Sequence, residues 1–309
     1  MKRALILLLF LASALVFSQA ARAAPALAGA AWLKARLSHV AVLDIRPEKA
    51  FAAAHIPGAR NIPFSAPLWR QSRHGVPGYM PAPDQLARQL GRRGITRQTA
   101  LVIVSSGKDL RAVARAARIF WIFRRLGHEN LHLLDGGMRA WRALPGPLRK
   151  GADLPANQAQ RRYIPRPDAS ILATLEQTQD ALDNNVPPID GREMDWFFGY
   201  RNALDEEHGG TILDAVNVPA SELLNKATMR FLPPQALRGV FASRRIVLDE
   251  GKLVTFSTYG VMAAVDWFVL REILHLPDVR LYDGSLAEWA AEGMDLYDST
   301  DGMGGVIGG

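Results

Sequence analysis

The sequence predicts an α/β protein made of two similar domains, each with a parallel sheet covered by helices. Short runs of β-favouring apolar residues alternate with longer runs whose apolar residues recur at helical spacing. This order is typical of βα units and therefore of parallel strands. The same order occurs twice along the 309 residues, a length that suits two domains of ordinary size.

The composition is that of a folded globular chain. Hydrophobic residues make up 49% and charged residues 22% of the sequence. The net charge is +7, but the basic residues are spread along helices and carry no known nucleic-acid motif, so we predict no nucleic-acid partner. The chain has no cysteine, which excludes disulfides, Cys-ligated metals and thiol nucleophiles. We expect no metal and no cofactor.

Residues 1–23 have the three regions of a secretory signal peptide. Lys2-Arg3 precedes an apolar run over 4–17, and the small-x-small sequence of residues 21–23 follows. The run is shorter than the roughly 20 residues of a membrane-spanning helix. We therefore expect cleavage near Ala23, a periplasmic or secreted mature chain, and no membrane contact after cleavage.

The remaining chain divides into four parts by pattern and composition. A stretch rich in Pro, Gly, Gln and Arg lacks periodicity and separates the two repeats. The predicted bounds are 27–145 for domain 1, 146–168 for the linker, 169–298 for domain 2 and 299–309 for a Gly-rich tail.

In domain 1, short apolar runs predict strands at 40–44, 101–104 and 131–134. Helical spacing predicts helices over 32–37, 47–54, 84–90, 111–126 and 138–144. Pro47 suits a first helical turn, where its missing N–H costs nothing, and Asp84 is a candidate cap. Several Pro and Gly residues predict a loop over 64–83.

Domain 2 repeats these features in the same order. We predict a strand at 253–256, strands that end at Asp190 and Asp283, and helices over 171–182, 234–241, 261–275 and 286–289. Asp190 matches Asp44 within the repeat. Trp289 follows Asp283 by the same interval that separates Trp141 from Asp135.

The candidate site is the tight loop between a strand and a helix in domain 2. Backbone N–H groups at the start of a helix have no intrahelical partner and form an anion site. We predict that Ser257, at the first loop position, faces these donors. The loop residues are Ser257, Thr258, Tyr259, Gly260, Val261 and Met262. The predicted domain 1 equivalent is Ser106, Gly107, Lys108, Asp109, Leu110 and Arg111.

Several segments together resemble the tandem-domain rhodanese, or thiosulfate sulfurtransferase, family. They are V-L-D-I-R-P-E-K-A-F, H-I-P-G-A-R-N-I-P, L-V-T-F-S-T-Y-G-V-M, D-W-F-V-L-R and R-L-Y-D-G-S-L-A-E-W. The chain looks most like the exported branch of that family. The resemblance implies five-stranded parallel sheets flanked by helices, a non-catalytic first domain and a catalytic loop in the second. A loop cysteine of the family takes sulfur from thiosulfate as a persulfide and passes it to a thiophilic acceptor.

The sequence departs from this family pattern at the nucleophile. Ser257 occupies the cysteine position, and we assign Ser106 to the corresponding place in domain 1. An oxygen cannot hold the transferable sulfur as a persulfide, and an alkoxide is harder to form than a thiolate. Met262 and Leu213-Asp214 also depart from the pattern. We therefore predict a pseudoenzyme whose loop can still bind a small thiosulfate-like anion.

Two alternative functions follow from the same loop. It could serve as an anion-binding or protein-interaction module, or Ser257 could be the nucleophile of a hydrolase. The motif G-x-S-x-G is absent, and the sequence places no histidine next to Ser257. Arg111 could clamp an anion or could be a solvated helix residue.

Other conspicuous residues have structural interpretations. For the aspartates that end strands, Asp44, Asp190, Asp135 and Asp283, we favour turn capping and salt bridges to Arg46 or Arg192. His55 belongs to a turn. We expect the aromatic pairs Phe120-Trp121 and Trp267-Phe268 to form core between helices or domains.

Overall fold

The computed structural model describes residues 25–151, 160–201, 210–248, 252–298 and 305–307. The predicted signal peptide, part of the linker and most of the tail lie outside these ranges. Within them, no helix combines the length and the apolarity needed to cross a membrane.

Domain 1 is a parallel five-stranded sheet with helices on both faces, as predicted. In spatial order the strands are β1 (Leu27–Ala28), β7 (Leu131–Leu134), β6 (Leu101–Val104), β2 (Ala41–Asp44) and β3 (Arg60–Asn61). The helices are α1 (Ala30–Lys34), α2 (Glu48–Ala53), α3 (Pro83–Arg92), α4 (Leu110–Arg125) and α5 (Gly137–Arg142). An antiparallel hairpin consists of β4 (Gln71–Arg73) and β5 (Val76–Tyr79).

Domain 2 has the same topology, which confirms the predicted fold class. In the corresponding order its strands are β8 (Leu172–Ala173), β14 (Val279–Tyr282), β13 (Leu253–Phe256), β9 (Ile189–Asp190) and β10 (Val216–Asn217). The helices are α6 (Leu175–Asp183), α7 (Met194–Phe197), α8 (Pro234–Ala242), α9 (Ala263–Phe268) and α10 (Ser285–Ala291). Two further antiparallel pairs are β11 (Leu224–Asn225) with β12 (Arg230–Phe231), and β15 (Leu296–Asp298) with β16 (Gly305–Ile307).

Apart from shifts of a few residues at the ends of helices and strands, three predictions differ from the observed structure. The helix predicted over 171–182 is a strand, β8, followed by a helix that begins only at Leu175, because Thr174 and Gln177 form a capping box there. The loop predicted over 64–83 contains the β4–β5 hairpin. Asp84 lies in the first turn of α3 and does not cap it, since the N-cap residue is Ala82.

The two domains pack through helices α4 and α9, which lie between the two sheets. Phe120 on α4 meets Phe268 on α9 in a T-shaped contact with ring centroids 4.9 Å apart. Trp121 and Trp267 are fully buried, and their indole N–H groups donate to the carbonyls of Ile171 and Val279. The aromatic pairs therefore form core between the domains, as predicted. α9 continues beyond Phe268 as a π-helical turn over Val269–Ile273.

The strand-end aspartates fall into two classes. Asp44 and Asp190 form buried ion pairs with Arg46 and Arg192, each at 2.6 Å, as predicted.

Asp135 and Asp283 instead reach across the domain interface. Asp135 accepts the Phe231 N–H at 3.1 Å, and Asp283 accepts the Met80 N–H at 3.0 Å. In each case a backbone N–H at or next to a hairpin of one domain donates to the aspartate at a strand end of the other domain.

A buried ion pair reinforces one of these crossings. Arg118 on α4 donates to the Asp283 carboxylate and to the Gly78 carbonyl, and its guanidinium packs on the Trp121 ring. Its side chain is 1% exposed. Removing one partner of such a pair leaves an uncompensated buried charge.

We expect Arg118→Met to lower the free energy of unfolding by about 3–5 kcal/mol. The double variant with Asp283→Asn should lose less than the sum of the two single losses, because the two side chains interact directly. Urea unfolding of the three variants measures both quantities. Arg115→Met is the control, since Arg115 is an exposed arginine on the same helix. Strictly additive losses would contradict the coupling.

Candidate sulfur-compound site

Ser257 lies directly after β13, at the carboxyl edge of the domain 2 sheet. The residue is only 2% exposed. Its hydroxyl oxygen has no hydrogen-bond partner among the described residues, which is unusual for a buried polar atom. Its backbone N–H donates to the Ser285 hydroxyl at 3.3 Å. The backbone of Ser257 is thus held by a hydrogen bond, whereas its hydroxyl has no partner among the described residues.

Ser285, which accepts the Ser257 N–H, has a strained backbone conformation. Its φ is +54°, in the left-handed region that favours glycine. The hydroxyl donates to the Tyr282 carbonyl at 2.8 Å while it accepts the Ser257 N–H. The equivalent domain 1 residue is Gly137, which adopts a φ of +54° without a side chain.

Domain 1 holds the loop from the opposite side. Gly260 has a φ of +69°, and a Cβ built there would lie 3.0 Å from Nη1 of Arg118. A larger residue would therefore need both an unfavourable conformation and a displacement of the buried guanidinium. The loop geometry of domain 2 depends on a side chain from domain 1.

The loop amides of domain 2 are available to a ligand. The N–H groups of Thr258, Gly260, Val261 and Met262 donate to no other residue that the structure describes. Unpaired backbone donors bind anions well, and anion binding by this loop stays a prediction.

The equivalent loop of domain 1 satisfies two of its backbone donors with its own side chains. Gly107 N–H donates to the Ser105 hydroxyl and Lys108 N–H to the Ser106 hydroxyl, both at 3.3 Å. A Cβ at Gly107 would lie 1.8 Å from the Gly136 carbonyl oxygen, so the loop packs tightly on its neighbour. Asp109 caps α4 by accepting the Ala112 N–H at 2.9 Å. We call it the closed loop because two of its amides are paired within it and Gly107 packs against the Gly136 carbonyl.

The register of the two sheets corrects the predicted equivalence by one residue. Val104 pairs with Asp44, and Phe256 pairs with Asp190. The next residue in each strand–loop unit is therefore Ser105 in domain 1 and Ser257 in domain 2. Ser106 corresponds to Thr258. The adjacent serines at 105 and 106 conceal this offset in the sequence.

A cavity of about 1020 Å³ lies between the domains at residues 257–262, the loop of domain 2 that we call the open loop. All the predicted loop residues of domain 2 line it except Gly260, which contacts Arg118 instead. From domain 1, Asp109, Leu110 and Arg111 reach the cavity, whereas Ser106, Gly107 and Lys108 do not. The remaining lining residues are Arg192, Glu193, Met194, Asp195, Trp196 and Arg201.

Most of the charges that line the cavity are already paired. Arg192 is bound to Asp190, and Arg201 forms an ion pair with Asp195 at 2.9 Å. Oε2 of Glu193 accepts the Ser221 hydroxyl at 2.8 Å, but its buried Oε1 has no partner among the described residues.

Arg111 differs from the other lining arginines. It is exposed and makes no ion pair or hydrogen bond with any residue in the described part of the chain. Both predicted roles, solvated helix residue and anion clamp, fit an unpaired guanidinium at this place.

Asp266 is a buried carboxyl on α9 for which the sequence predicts no role. It is 0% exposed, and both carboxyl oxygens lack partners among the described residues. Burial raises the pKa of Asp266 well above the ordinary aspartate value, and the Asp190 and Glu193 carboxylates raise it further while Arg244 opposes them. This environment favours the protonated, neutral form of Asp266 over the carboxylate. A Cβ at Gly191 would meet its Oδ2 at 2.1 Å, so the glycine leaves room for this acid.

Other conspicuous groups have structural roles. Nδ1 of His55 lies 3.0 Å from the Phe51 carbonyl oxygen, and its ring stacks on Phe51, as expected for a turn residue. No group of three or more His, Asp or Glu in the described ranges could hold a metal ion.

Comparison with known proteins shows that this chain is similar to sulfurtransferases. Residues 29–144 match the model of a protein family that is described as the rhodanese-like domain. A probable 3-mercaptopyruvate sulfurtransferase of Pseudomonas aeruginosa is 30% identical over 274 residues, which cover 84% of this chain and 93% of that protein. A putative thiosulfate sulfurtransferase of Synechococcus elongatus is 27% identical over 286 residues, covering 87% and 84%.

A solved structure supports the fold independently. The crystal structure of SseA from Escherichia coli, described as a 3-mercaptopyruvate sulfotransferase with the rhodanese fold, aligns with a TM-score of 0.68. It is 23% identical, and the alignment covers 85% of this chain and 99% of that one. The two parallel five-stranded sheets match the tandem rhodanese fold of that structure. The chain belongs to the rhodanese family of sulfurtransferases.

Ser285 offers a direct test of how the loop is held. We expect Ser285→Ala to lower the free energy of unfolding by about 1–3 kcal/mol, because it leaves the buried Ser257 N–H unpaired and keeps the strained φ. Ser285→Gly should cost less, since glycine relieves roughly 1–2 kcal/mol of left-handed strain. Urea unfolding of both variants gives the order. An alanine variant as stable as the glycine variant would contradict this account.

Asp266 predicts an unusual dependence of stability on pH. The pKa of Asp266 is higher in the folded protein than in the unfolded chain. Below the ordinary aspartate pKa the carboxyl is protonated in both states, so its contribution to the free energy of unfolding is fully present. As the pH rises towards the folded-state pKa, the unfolded chain releases the proton first and this contribution is lost. We expect Asp266→Asn to gain stability relative to wild type as pH rises from about 4, by up to about 1.4 kcal/mol per pH unit. Urea unfolding at several pH values measures this. A difference that does not change with pH would contradict it.

Proposed function

We propose that the open loop of domain 2 binds a small sulfur compound and that the chain does not relay sulfur through residue 257. The observation that carries the proposal is the buried hydroxyl of Ser257, which has no partner among the described residues. It lies at a cavity where the amides of Thr258, Gly260, Val261 and Met262 also donate to no described residue. The family resemblance implies a persulfide-forming cysteine at this position. Family membership supports a sulfur-containing ligand.

The chemistry of the two nucleophiles supports the loss of transfer. In a sulfurtransferase of this type, a thiolate attacks the outer sulfur of thiosulfate, the S–S bond breaks, and sulfite leaves with the electron pair. An acceptor nucleophile then removes the sulfur and restores the thiolate. A serine hydroxyl is almost fully protonated at neutral pH and cannot form the persulfide, and no cysteine elsewhere in the chain can replace it.

The geometry does not favour the hydrolase alternative. A serine nucleophile needs a general base within hydrogen-bond reach. The Ser257 hydroxyl has no such partner in the described ranges, and the described residues that line the cavity include no histidine. The binding-module alternative needs only the loop and cavity, and it is compatible with the inactive form proposed here.

We also propose that the chain is exported. The basic start, the apolar run and the small-x-small sequence within residues 1–23 support a cleavable signal peptide. The absence of cysteine is compatible with an oxidising compartment, where an unpaired thiol would be exposed to oxidation.

Restoring the sulfur nucleophile tests the proposal. We expect wild type to show no thiosulfate:cyanide sulfur transfer above the uncatalysed rate, and Ser257→Cys to raise the rate on the order of a thousandfold or more, because the nucleophile carries most of a covalent mechanism. The steady-state rate of thiocyanate formation is the readout.

Ser105→Cys is the matched control because Ser105 is equivalent in register but lies in the closed loop of domain 1. It should remain inactive. Turnover by wild type would overturn the proposed loss of activity. A rate gain as large in Ser105→Cys as in Ser257→Cys would show that the open loop has no special role.

A further inference from the structure

The last part of the predicted linker, residues 160–168, lies on the surface of domain 1, and we call it the strap. Three backbone N–H groups of the strap donate to domain 1 carbonyls at the ends of α3 and α4, where helix carbonyls lack intrahelical partners. These bonds run from Arg161 to Gly91 at 2.9 Å, from Arg166 to Leu126 at 3.0 Å and from Asp168 to Arg125 at 3.0 Å. The strap thus connects both helix ends with β8, the first strand of domain 2.

Two glycines of domain 1 allow the strap to lie this close. A Cβ at Gly91 would clash with the Arg161 carbonyl oxygen, and a Cβ at Gly127 would clash with the Arg166 carbonyl oxygen. Gly127 also has a φ of +74°, in the region that favours glycine. The surface of domain 1 therefore fits this segment closely.

Tyr163 is the side chain that holds the strap to domain 1. Of residues 160–170, all of which the structure describes, only Tyr163 is buried. Its hydroxyl lies 3.2 Å from Nδ1 of His128, whose side chain is 0% exposed. Nε2 of His128 lies 2.7 Å from the Thr99 carbonyl oxygen. Because a carbonyl only accepts, Nε2 carries the ring proton and Nδ1 accepts from the Tyr163 hydroxyl.

We propose that His128 makes the strap acid-sensitive: the neutral ring holds the strap on domain 1, and protonation of the ring favours its release. A protonated histidine donates from both ring nitrogens, so the Tyr163 hydroxyl would have to accept from Nδ1. That hydroxyl has no other hydrogen-bond partner among the described residues. Its own proton would then be buried without an acceptor, which is costly.

The surroundings of His128 also oppose a charge on the ring. Burial lowers the pKa of His128 to about 4. The guanidiniums of Arg124 and Arg97 lower this pKa further, whereas hydrogen bonds to the backbone oppose them. Both arginines have carboxylate partners, Glu272 at 2.9 Å and Glu129 at 3.5 Å. The other charged residues that line the groove beside His128 are Arg166, Asp168 and Arg271.

Release of the strap is a local event. The strap is held by few contacts, one buried side chain and three backbone hydrogen bonds, and such segments open at a lower free energy than the core. The chain is fixed again at Ile171, which is buried and whose carbonyl accepts the Trp121 indole N–H. The strap can therefore leave domain 1 while both sheets stay folded.

Hydrogen exchange of the full chain, measured by mass spectrometry from about pH 7 to about pH 4.5, tests the proposal. Above the ordinary histidine pKa of about 6.5, His128 is neutral whether the strap is bound or released, so the strap is held fully. As the pH falls, the released form binds the proton first. Protection of the strap amides, corrected for the intrinsic exchange rate, should therefore fall by up to about tenfold per pH unit. Protection in the central strand of the domain 1 sheet, Leu101–Val104, should fall less.

Two histidine variants assign the effect to one ring. His128→Gln cannot bind the proton, but its amide can still donate to the Thr99 carbonyl, so the strap should stay protected at about pH 4.5. His132→Gln is the matched control. His132 is also a buried histidine whose burial lowers its pKa, but its ring nitrogens contact Pro25 and Asn130 and not the strap. This variant should keep the pH dependence of wild type.

Several outcomes would overturn the proposal. In wild type, they are strap protection that stays constant over this pH range, or an equal loss of protection in the strap and in the central strand. A pH dependence that survives in His128→Gln, or one that disappears in His132→Gln, would also contradict it. The wild-type measurement needs no variant, so a misfolded variant cannot obscure it.

Discussion

The structure depends on a buried charge pair that joins the two halves of a duplicated chain. Arg118 leaves a helix of domain 1, binds Asp283 at a strand end of domain 2, and lies against Gly260 in the open loop. A buried guanidinium is expensive to desolvate, so it is tolerated only where its partner is fixed. The interface between α4 and α9 provides that rigidity, and it makes the geometry of the domain 2 loop a property of both domains.

Much of the fold follows from the sequence because the sheets are parallel and buried. Their strands are mostly apolar runs, and three of them, Leu101–Val104, Leu131–Leu134 and Leu253–Phe256, have the predicted bounds. Two-residue strands such as β8 carry no periodic signal, which is why the prediction merged β8 with the helix that follows. The hairpins were missed for a related reason: they are stabilised by the other domain, and local patterns do not encode such contacts.

The position of the candidate site could be predicted from the sequence, but the residues that contact and hold its loop could not. Strand, tight loop and helix identified residues 257–262, and a repeat of that unit identified its domain 1 counterpart to within one residue. Ser285, Glu193 and Asp266 were missed because their roles arise from spatial contacts. Ser285 had left a trace, since D-G-S in domain 2 stands against D-G-G in domain 1. That difference accompanies the contrast between an open loop and a closed one.

The central claim is that the domain 2 loop can still bind a sulfur compound although Ser257 stands at the position of the nucleophilic cysteine. Intact mass spectrometry after incubation with thiosulfate tests it most directly, because it detects the covalent intermediate without any acceptor. The account predicts that Ser257→Cys gains the mass of one sulfur atom, which cyanide removes, while wild type and Ser105→Cys stay unchanged. Sulfur bound covalently to the wild-type chain, or none on Ser257→Cys when that variant is folded, would contradict it.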